Sequence, residues 1–120
     1  MKIKIEPLDQ LFSKIIRLRA KGICEIGGEW RGYEKLMCCH NWGRRKKSVR
    51  WDLDNACAGC FYHHRQIDEN AEDKISFFRK YLGNKKYQDL NKRANWTNLQ
   101  KPDKKLIQLF LEKELTQYEE

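Results

Sequence analysis

Residues 38–64, CCHNWGRRKKSVRWDLDNACAGCFYHH, hold all three histidines of the chain and four of its five cysteines. Imidazole and thiolate are the side chains that most often bind transition metals, and imidazole is also the usual general base near neutral pH. This one segment therefore decides between a zinc site, a catalytic site and a combination of the two. It also contains the end of the first strand and all of the second strand of the hairpin on which the fold prediction depends.

The chain around this segment has 120 residues, which suits one domain over residues 1–120. A net charge of +8 and a mean hydropathy of −0.90 indicate a water-soluble protein with polyanionic partners such as DNA. No apolar run approaches the ~18 residues of a membrane span and no signal peptide opens the sequence, so we expect no membrane association and a cytoplasmic location. Five cysteines in such a chain favour free thiols or metal ligands over disulfides.

Hydrophobic periodicity predicts an α+β fold with helices on either side of the quoted segment. A leading helix is expected over residues 8–20, where leucine, isoleucine and phenylalanine recur at helical spacing. Residues 22–68 then form a glycine-rich cysteine knuckle and a hairpin with its following helix. Residues 70–118 are expected to be helical throughout. The apolar stripes of these helices are interpreted as core positions.

Within residues 22–68, two short apolar runs predict the hairpin strands, at 35–39 (KLMCC) and 49–53 (VRWDL). A basic loop joins them, and the pattern becomes helical from about residue 56 to residue 66. Farther on, Asn70 starts a helix that Gly83 ends, and a short helix follows. The final helix is expected to begin near Thr97 or Pro102.

His40, Asn55 and His64 are separated by fourteen and eight residues. A hairpin would bring the first histidine beside the helix that follows the second strand, so that two imidazoles and an amide converge on one phosphodiester. His40 suits the base that activates water, and His64 suits a ligand for a divalent cation that neutralises the leaving oxygen. Asn55 could either pin the hairpin loop or supply an oxygen to the cation. A single histidine is more often a packed or surface residue, but the register of all three favours nuclease chemistry.

The segment resembles the active-site segment of HNH endonucleases with the ββα-metal fold, in particular phage recombination nucleases of the lambdoid Rap/NinG type. The flanking stretches LFSKIIRLRAKGICEIGG and NWTNLQKPDKKLIQLFLEKELTQY resemble the leading and closing parts of that family. The resemblance implies His40 as general base, Asn55 as loop-orienting or metal-binding amide, and His64 as metal ligand. It also implies branched recombination DNA, such as D-loops and four-way junctions, as substrate, and the cytoplasm of a bacterial host as location if a phage encodes the chain.

The same resemblance implies a structural zinc, because such families commonly hold one between two CxxC pairs. Here the partner position of Cys24 is Gly27, and that of Cys60 is His63. Cys24, Cys60 and His63 supply three of the four ligands of a tetrahedral site, and Cys57 is a candidate for the fourth. The alternative is that packing has replaced the metal and these cysteines are buried or free thiols.

Two further residues are candidate ligands of the catalytic cation. Cys39 stands where many HNH enzymes have an acidic or imidazole ligand, directly before the base. Thiolate binds soft metals better than Mg²⁺, so the site could prefer Mn²⁺, Ni²⁺ or Zn²⁺ to Mg²⁺. Asp68, one helical turn after His64, could add an oxygen ligand from the same face, although a surface carboxylate there needs no special role.

The basic loop between the predicted strands contains five cations that we expect to contact DNA phosphates: Arg44, Arg45, Lys46, Lys47 and Arg50. Trp42 and Trp51 flank this loop. Either could stack on an unpaired base, but core packing is the better interpretation for both. No base-reading element is apparent, so recognition is expected to depend on backbone and shape.

A second hypothesis is a non-catalytic DNA-binding protein, in which a zinc knuckle and the basic loop grip DNA while the nuclease site has decayed. The glycine at position 27 and the cysteine at position 39 motivate it. The sequence does not determine the oligomeric state. Two symmetric cuts in a four-way junction would nevertheless suit a homodimer.

Overall fold

The computed structural model describes residues 3–96 and 101–119, and within them the fold is α+β as predicted. A two-stranded antiparallel hairpin is formed by β1 (Leu36–His40) and β2 (Ala56–Cys60). The register pairs Leu36 with Cys60 and His40 with Ala56. Helix α2 (Phe61–Glu69) follows β2 directly, which gives the order strand, strand, helix.

The second strand lies later in the chain than the sequence predicted. Residues 49–51 form a turn and a short 3-10 helix follows at Leu53–Asn55, because Val49 and Trp51 are buried in separate clusters and do not extend along β1. The predicted helical start at residue 56 is also wrong. Strand β2 is made of alanine, cysteine and glycine, which have weak strand propensity, but both of its faces are buried. A Cβ on Gly59 would lie 2.6 Å from Ile26 Cδ1, so only glycine permits this close packing.

The remaining helices agree closely with the predicted ones. They are α1 (Pro7–Arg19), α3 (Ala71–Leu82), α4 (Asn84–Ala94) and α5 (Lys104–Leu115). The side chain of Asn70 accepts a hydrogen bond from Asp73 N at the start of α3, and Gly83 ends that helix with a φ of +85°. Helix α5 begins at Lys104, two residues after Pro102, and Asp103 caps it by accepting a hydrogen bond from Leu106 N. The alternative start, Thr97, falls outside the described residues.

The hairpin separates two apolar clusters. On one face, α1 and α5 contribute Phe12, Ile16 and Leu111, and on the other face α2, α3 and α4 contribute Ile67, Phe78 and Tyr87. Because side chains alternate along a strand, Ala56, Ala58 and Cys60 point to the first cluster while Cys57 points to the second. No helix within residues 3–96 and 101–119 is long and apolar enough to cross a membrane.

Arg50, predicted to contact DNA, is instead buried in a salt-bridge network behind the hairpin loop. Its guanidinium donates to both carboxylate oxygens of Asp9, at 3.0 and 2.6 Å, and pairs with Glu6 at 3.2 Å. Trp51 Nε1 donates to the same Asp9 carboxylate at 3.0 Å. Arg50 therefore fixes the loop to α1 and presents no charge to a ligand.

We expect Asp9→Asn to lower the free energy of unfolding by about 3 kcal/mol at pH 7, because it removes the carboxylate that binds the buried Arg50 through both oxygens and leaves Glu6, at 3.2 Å, as its remaining ion pair. Burial alone would raise the pKa of Asp9, but the hydrogen bonds and charge of Arg50 outweigh it and hold that pKa below the ordinary 3.8. The stabilisation is therefore complete above pH 3.8 and is lost as the pH falls below it. Urea unfolding at pH 7 and pH 3 measures both effects.

The matched control for that measurement is Asp89→Asn, which removes one partner of an exposed pair with Lys85 at 3.6 Å. Such surface pairs contribute less than about 1 kcal/mol. Equal losses in the two variants at pH 7 would contradict a structural role for the Asp9 network.

Candidate functional site

His40 and His64 line the same cavity, which has a volume of about 870 Å³ and lies between α1, β1 and the start of α2. Asp68 also lines it, as do three cationic side chains: Arg17 from α1, Arg44 from the basic loop and Lys74 from α3. The other polar residues of its lining belong to α1 and are Asp9, Gln10 and Ser13. This space is called the histidine cavity below. The structure thus brings together the two imidazoles that the sequence places 24 residues apart.

His40 is the last residue of β1, and its ring stacks on Phe12 with a centroid separation of 5.9 Å and an interplanar angle of 24°. Burial is the main cause that lowers the pKa of His40 to about 4, and the nearby Arg44 charge lowers it further. The imidazole is therefore neutral at pH 7. A neutral imidazole beside a cavity can accept a proton from a bound water.

Asn55 holds the loop that follows His40. Its Oδ1 accepts a hydrogen bond from Trp42 N at 2.8 Å, its Nδ2 donates to Trp42 O at 2.8 Å, and its backbone oxygen accepts from Asn41 N at 2.8 Å. The side chain is fully buried. Of the two predicted roles, the geometry supports loop orientation. The other role is wrong, since no exposed atom of Asn55 is available to a cation.

His64 and Asp68 face each other across one turn of α2, with Nε2 and Oδ2 2.9 Å apart. Lys74 Nζ contacts the other carboxylate oxygen at 3.0 Å. The 2.9 Å separation is that of a hydrogen-bonded pair, and a divalent ion shared by the two groups would take the place of that hydrogen bond. Among the described residues this pair has no third acidic or imidazole ligand close by.

Cys39, a predicted ligand, lies on the other face of β1 from His40 and is fully buried. Its thiol interacts with Cys57, directly opposite in the register, and with His64. The hydrogen bond with Cys39 is the main cause that raises the pKa of His64, and the Asp68 charge adds to it. Cys39 therefore supports the His64 ring from the buried side of β1, and its role as a ligand of the cation stays a prediction.

A second centre is formed by Cys24, Cys60 and His63, called the thiol–imidazole cluster below. These residues could hold a metal ion, because their ligand atoms lie within 4.8 Å of one another. His63 Nδ1 is 3.5 Å from Cys24 Sγ and 3.2 Å from Cys60 Sγ. The backbone amides of Gly27 and Cys60 donate to Cys24 Sγ at 3.4 and 3.3 Å, which fixes the position of that sulfur.

These separations suit zinc, for which tetrahedral S and N ligands lie about 3.6 Å apart. The prediction that Cys57 is the fourth ligand is wrong, because Cys57 and Cys60 are three residues apart on a strand and point to opposite faces. Among the described residues the cluster thus contains three ligands. The fourth position of a tetrahedral site would be left to solvent or another ligand.

Gly27 stands where the families that the sequence resembles commonly have a cysteine, and the absence of a side chain there leaves room for His63. A Cβ built at this position would lie 2.3 Å from His63 Cε1, so the imidazole occupies the volume that a side chain at 27 would need. His63 and a larger residue at 27 are mutually exclusive in this geometry.

We expect Gly27→Ala to weaken metal binding by about tenfold or more, because the new methyl group displaces His63 from the two thiolates. Loss of an optimally placed ligand or its support typically costs that much in affinity. Competition with a chromophoric zinc chelator measures the change. Gly43→Ala is the control, since a Cβ there meets no atom within 4 Å, and equal zinc affinity in both variants would contradict the steric argument.

The other predicted DNA contacts fall in different surroundings. Arg44 lines the histidine cavity, Arg45 and Lys47 are exposed, and Lys46 lies over the Trp42 ring at 5.0 Å. Arg17 and Lys74 also reach the cavity but were not predicted. Each is one lysine or arginine among many on a helix, so only the packing of α1 and α3 reveals their role.

Neither tryptophan beside the basic loop is available as a stacking platform. Trp51 is 7% exposed and bonded to Asp9, as core packing requires. Trp42 Nε1 donates to Asn91 at 3.0 Å, and Lys46 covers its ring. Both indoles tie the loop to the rest of the fold.

No family model matches the chain, and neither a curated protein nor a solved structure matches it significantly. The similarity to HNH nucleases therefore stays a prediction from residues 38–64 and their flanks. The strand, strand, helix order is compatible with it.

Proposed function

We propose that the chain is a metal-dependent endonuclease of the HNH type that hydrolyses DNA phosphodiester bonds. The observation that carries the proposal is the histidine cavity, in which a neutral imidazole and an imidazole–carboxylate pair line one space. The cationic side chains around it suit a polyanion. Branched recombination DNA is the proposed substrate class, on the strength of the sequence resemblance alone.

In this proposal His40 accepts the proton of the attacking water, a step that its depressed pKa permits at neutral pH. His64 and Asp68 would hold a divalent cation such as Mg²⁺ or Mn²⁺, which when bound supplies charge for the scissile phosphate and the leaving oxygen. Arg17 and Arg44 bind neighbouring phosphate oxygens. Asn55 keeps the loop after His40 closed, so that the base stays aimed at the cavity.

Zinc at the thiol–imidazole cluster has a separate, structural role in this proposal. The cluster links the turn that contains Cys24 to the end of β2 and the first turn of α2. It therefore holds the helix that carries His64 against the rest of the fold. The metal there would stabilise the site without taking part in the reaction.

Incubation of the wild-type protein with supercoiled plasmid and four-way junctions in Mg²⁺, Mn²⁺ or EDTA tests the proposal. We expect nicked or linear products with at least one metal and none in EDTA. Absence of strand scission with every metal, from protein that binds the same DNA, would refute the endonuclease.

A second candidate function is a non-catalytic DNA-binding protein whose zinc site is structural and whose nuclease site has decayed. The observation in its favour is the burial of Cys39 and Asn55, which leaves His64 and Asp68 as the two cavity ligands. It predicts salt-dependent junction binding without cleavage, unchanged in His40→Ala.

A further inference from the structure

Trp96 is the exposed tryptophan nearest to the basic loop. It follows α4 directly and is 61% exposed, whereas Trp42 and Trp51 are packed. Together with Ser48, Asp89, Lys92 and Arg93 it lines a cavity of about 440 Å³. On a DNA-binding protein, an exposed indole next to cations is a surface on which a DNA base can stack, because every base presents a π-face.

Hydrogen bonds join the end of α4 to the basic loop, so the two form one continuous surface. Ser48 Oγ donates to Ala94 O at 3.3 Å, and Lys46 Nζ donates to Asn95 Oδ1 at 3.3 Å. Arg93 pairs with Asp52 at 2.7 Å and fixes the helix to the far side of the same loop. Trp96 is thereby held at the edge of the loop that we propose to contact DNA.

A second cavity, of about 490 Å³, adjoins the first at Ser48 and has a different character. Its walls combine the apolar side chains of Trp51, Pro102 and Ile107 with Lys47, Lys101 and an Asp52 carboxylate that is already paired with Arg93. The two cavities thus place an aromatic surface beside a cationic one, with Ser48 between them. A nucleotide presents the same two features, a flat base and a charged phosphate.

We propose that these two cavities bind one unpaired DNA nucleotide, with its base on Trp96 and its phosphate at Lys47 and Lys101. A duplex keeps its bases stacked inside and offers no such base, whereas a fork with unpaired arms or a D-loop does. The site would therefore select DNA with single-stranded segments. This inference rests on the proposed function in that it takes DNA as the ligand, but it does not require cleavage.

Fluorescence anisotropy without added divalent cation tests the site, with a labelled forked duplex that has unpaired arms and a fully paired duplex. We expect wild-type protein to bind the fork more tightly, and Trp96→Ala to lose about tenfold in fork affinity with little change for the duplex. Trp96→Phe should retain most of the preference, because it keeps an aromatic face. Equal weakening for both DNAs in Trp96→Ala, or no fork preference in the wild type, would overturn the inference.

Trp30→Ala is the matched control, since this indole is 73% exposed but lies on the turn near Cys24, away from the basic loop. Fork preference lost equally in Trp30→Ala would also count against the site. Plasmid cleavage is scored separately. A wild-type protein that prefers forks but cuts nothing would refute the endonuclease and leave the nucleotide site standing.

Discussion

Replacement of His40 by alanine should lower the rate of DNA cleavage by about 10²- to 10⁴-fold, the usual contribution of a general base. Of the two imidazoles in the histidine cavity, His64 is bound to Asp68 and Cys39, so we assign the role of general base to His40. Its low pKa keeps it neutral at the pH of the assay. Single-turnover cleavage of a labelled junction at saturating protein measures the chemical step directly.

Two further variants separate catalysis from packing. His40→Gln retains a polar side chain of similar length above Phe12 and should be as inactive as His40→Ala while melting closer to the wild type. Ser13→Ala, at another position that lines the same cavity, should cut at nearly the wild-type rate. Cleavage by His40→Ala within a few fold of the wild type would show that another group activates the water.

Removal of metal from the thiol–imidazole cluster should lower the free energy of unfolding by about 4 kcal/mol. That is the stabilisation from a ligand present at about a thousand times its dissociation constant. For a domain of this size it corresponds to a fall in melting temperature of roughly 15 °C. Calorimetry with and without a strong chelator, together with zinc analysis of the purified protein, measures the effect.

Cys60→Ser should melt like the chelated wild type and show no further response to the chelator, because the cluster has lost a thiolate. Cys38→Ser is its control: Cys38 lines the histidine cavity and is not among the three cluster residues. A protein that contains no zinc and melts at the same temperature with or without chelator would show that packing alone holds this region.

The helices could be predicted from the sequence because each has its own signals. The apolar stripe of α1, the Asn70 cap and the Gly83 stop determine boundaries locally, and the structure confirms them. Strand β2 could not be predicted in the same way. Its residues are small, its faces are both buried, and its pairing with β1 depends on contacts with Ile26 and with the helices that cover it.

The failed prediction for Cys57 has a related cause. Cys57 and Cys60 form a CxxC pair in the sequence, and that spacing was the reason to expect both at the metal. In the observed strand they point in opposite directions, and His63 takes the volume beside Gly27 instead. By contrast, His40 and His64 were correctly predicted to lie together, because His40 ends the first strand and His64 lies on the helix after the second.

The cationic part of the site was partly predictable. Arg44 belongs to a visible run of positive charge, but Arg50 in the same run is buried against Asp9. Arg17 and Lys74 reach the histidine cavity only because α1 and α3 pack beside it. Sequence alone gives the sign of the charge near a site, and tertiary packing decides which cations face it.

The most direct measurement of the central claim is the position of Mn²⁺ in a crystal grown with that ion, located by its anomalous scattering. We predict a peak between the His64 imidazole and the Asp68 carboxylate, inside the cavity that His40 also lines, and loss of that peak in His64→Ala. Manganese found only at the thiol–imidazole cluster, or nowhere on the protein, would contradict a cation-assisted reaction at this pair of histidines.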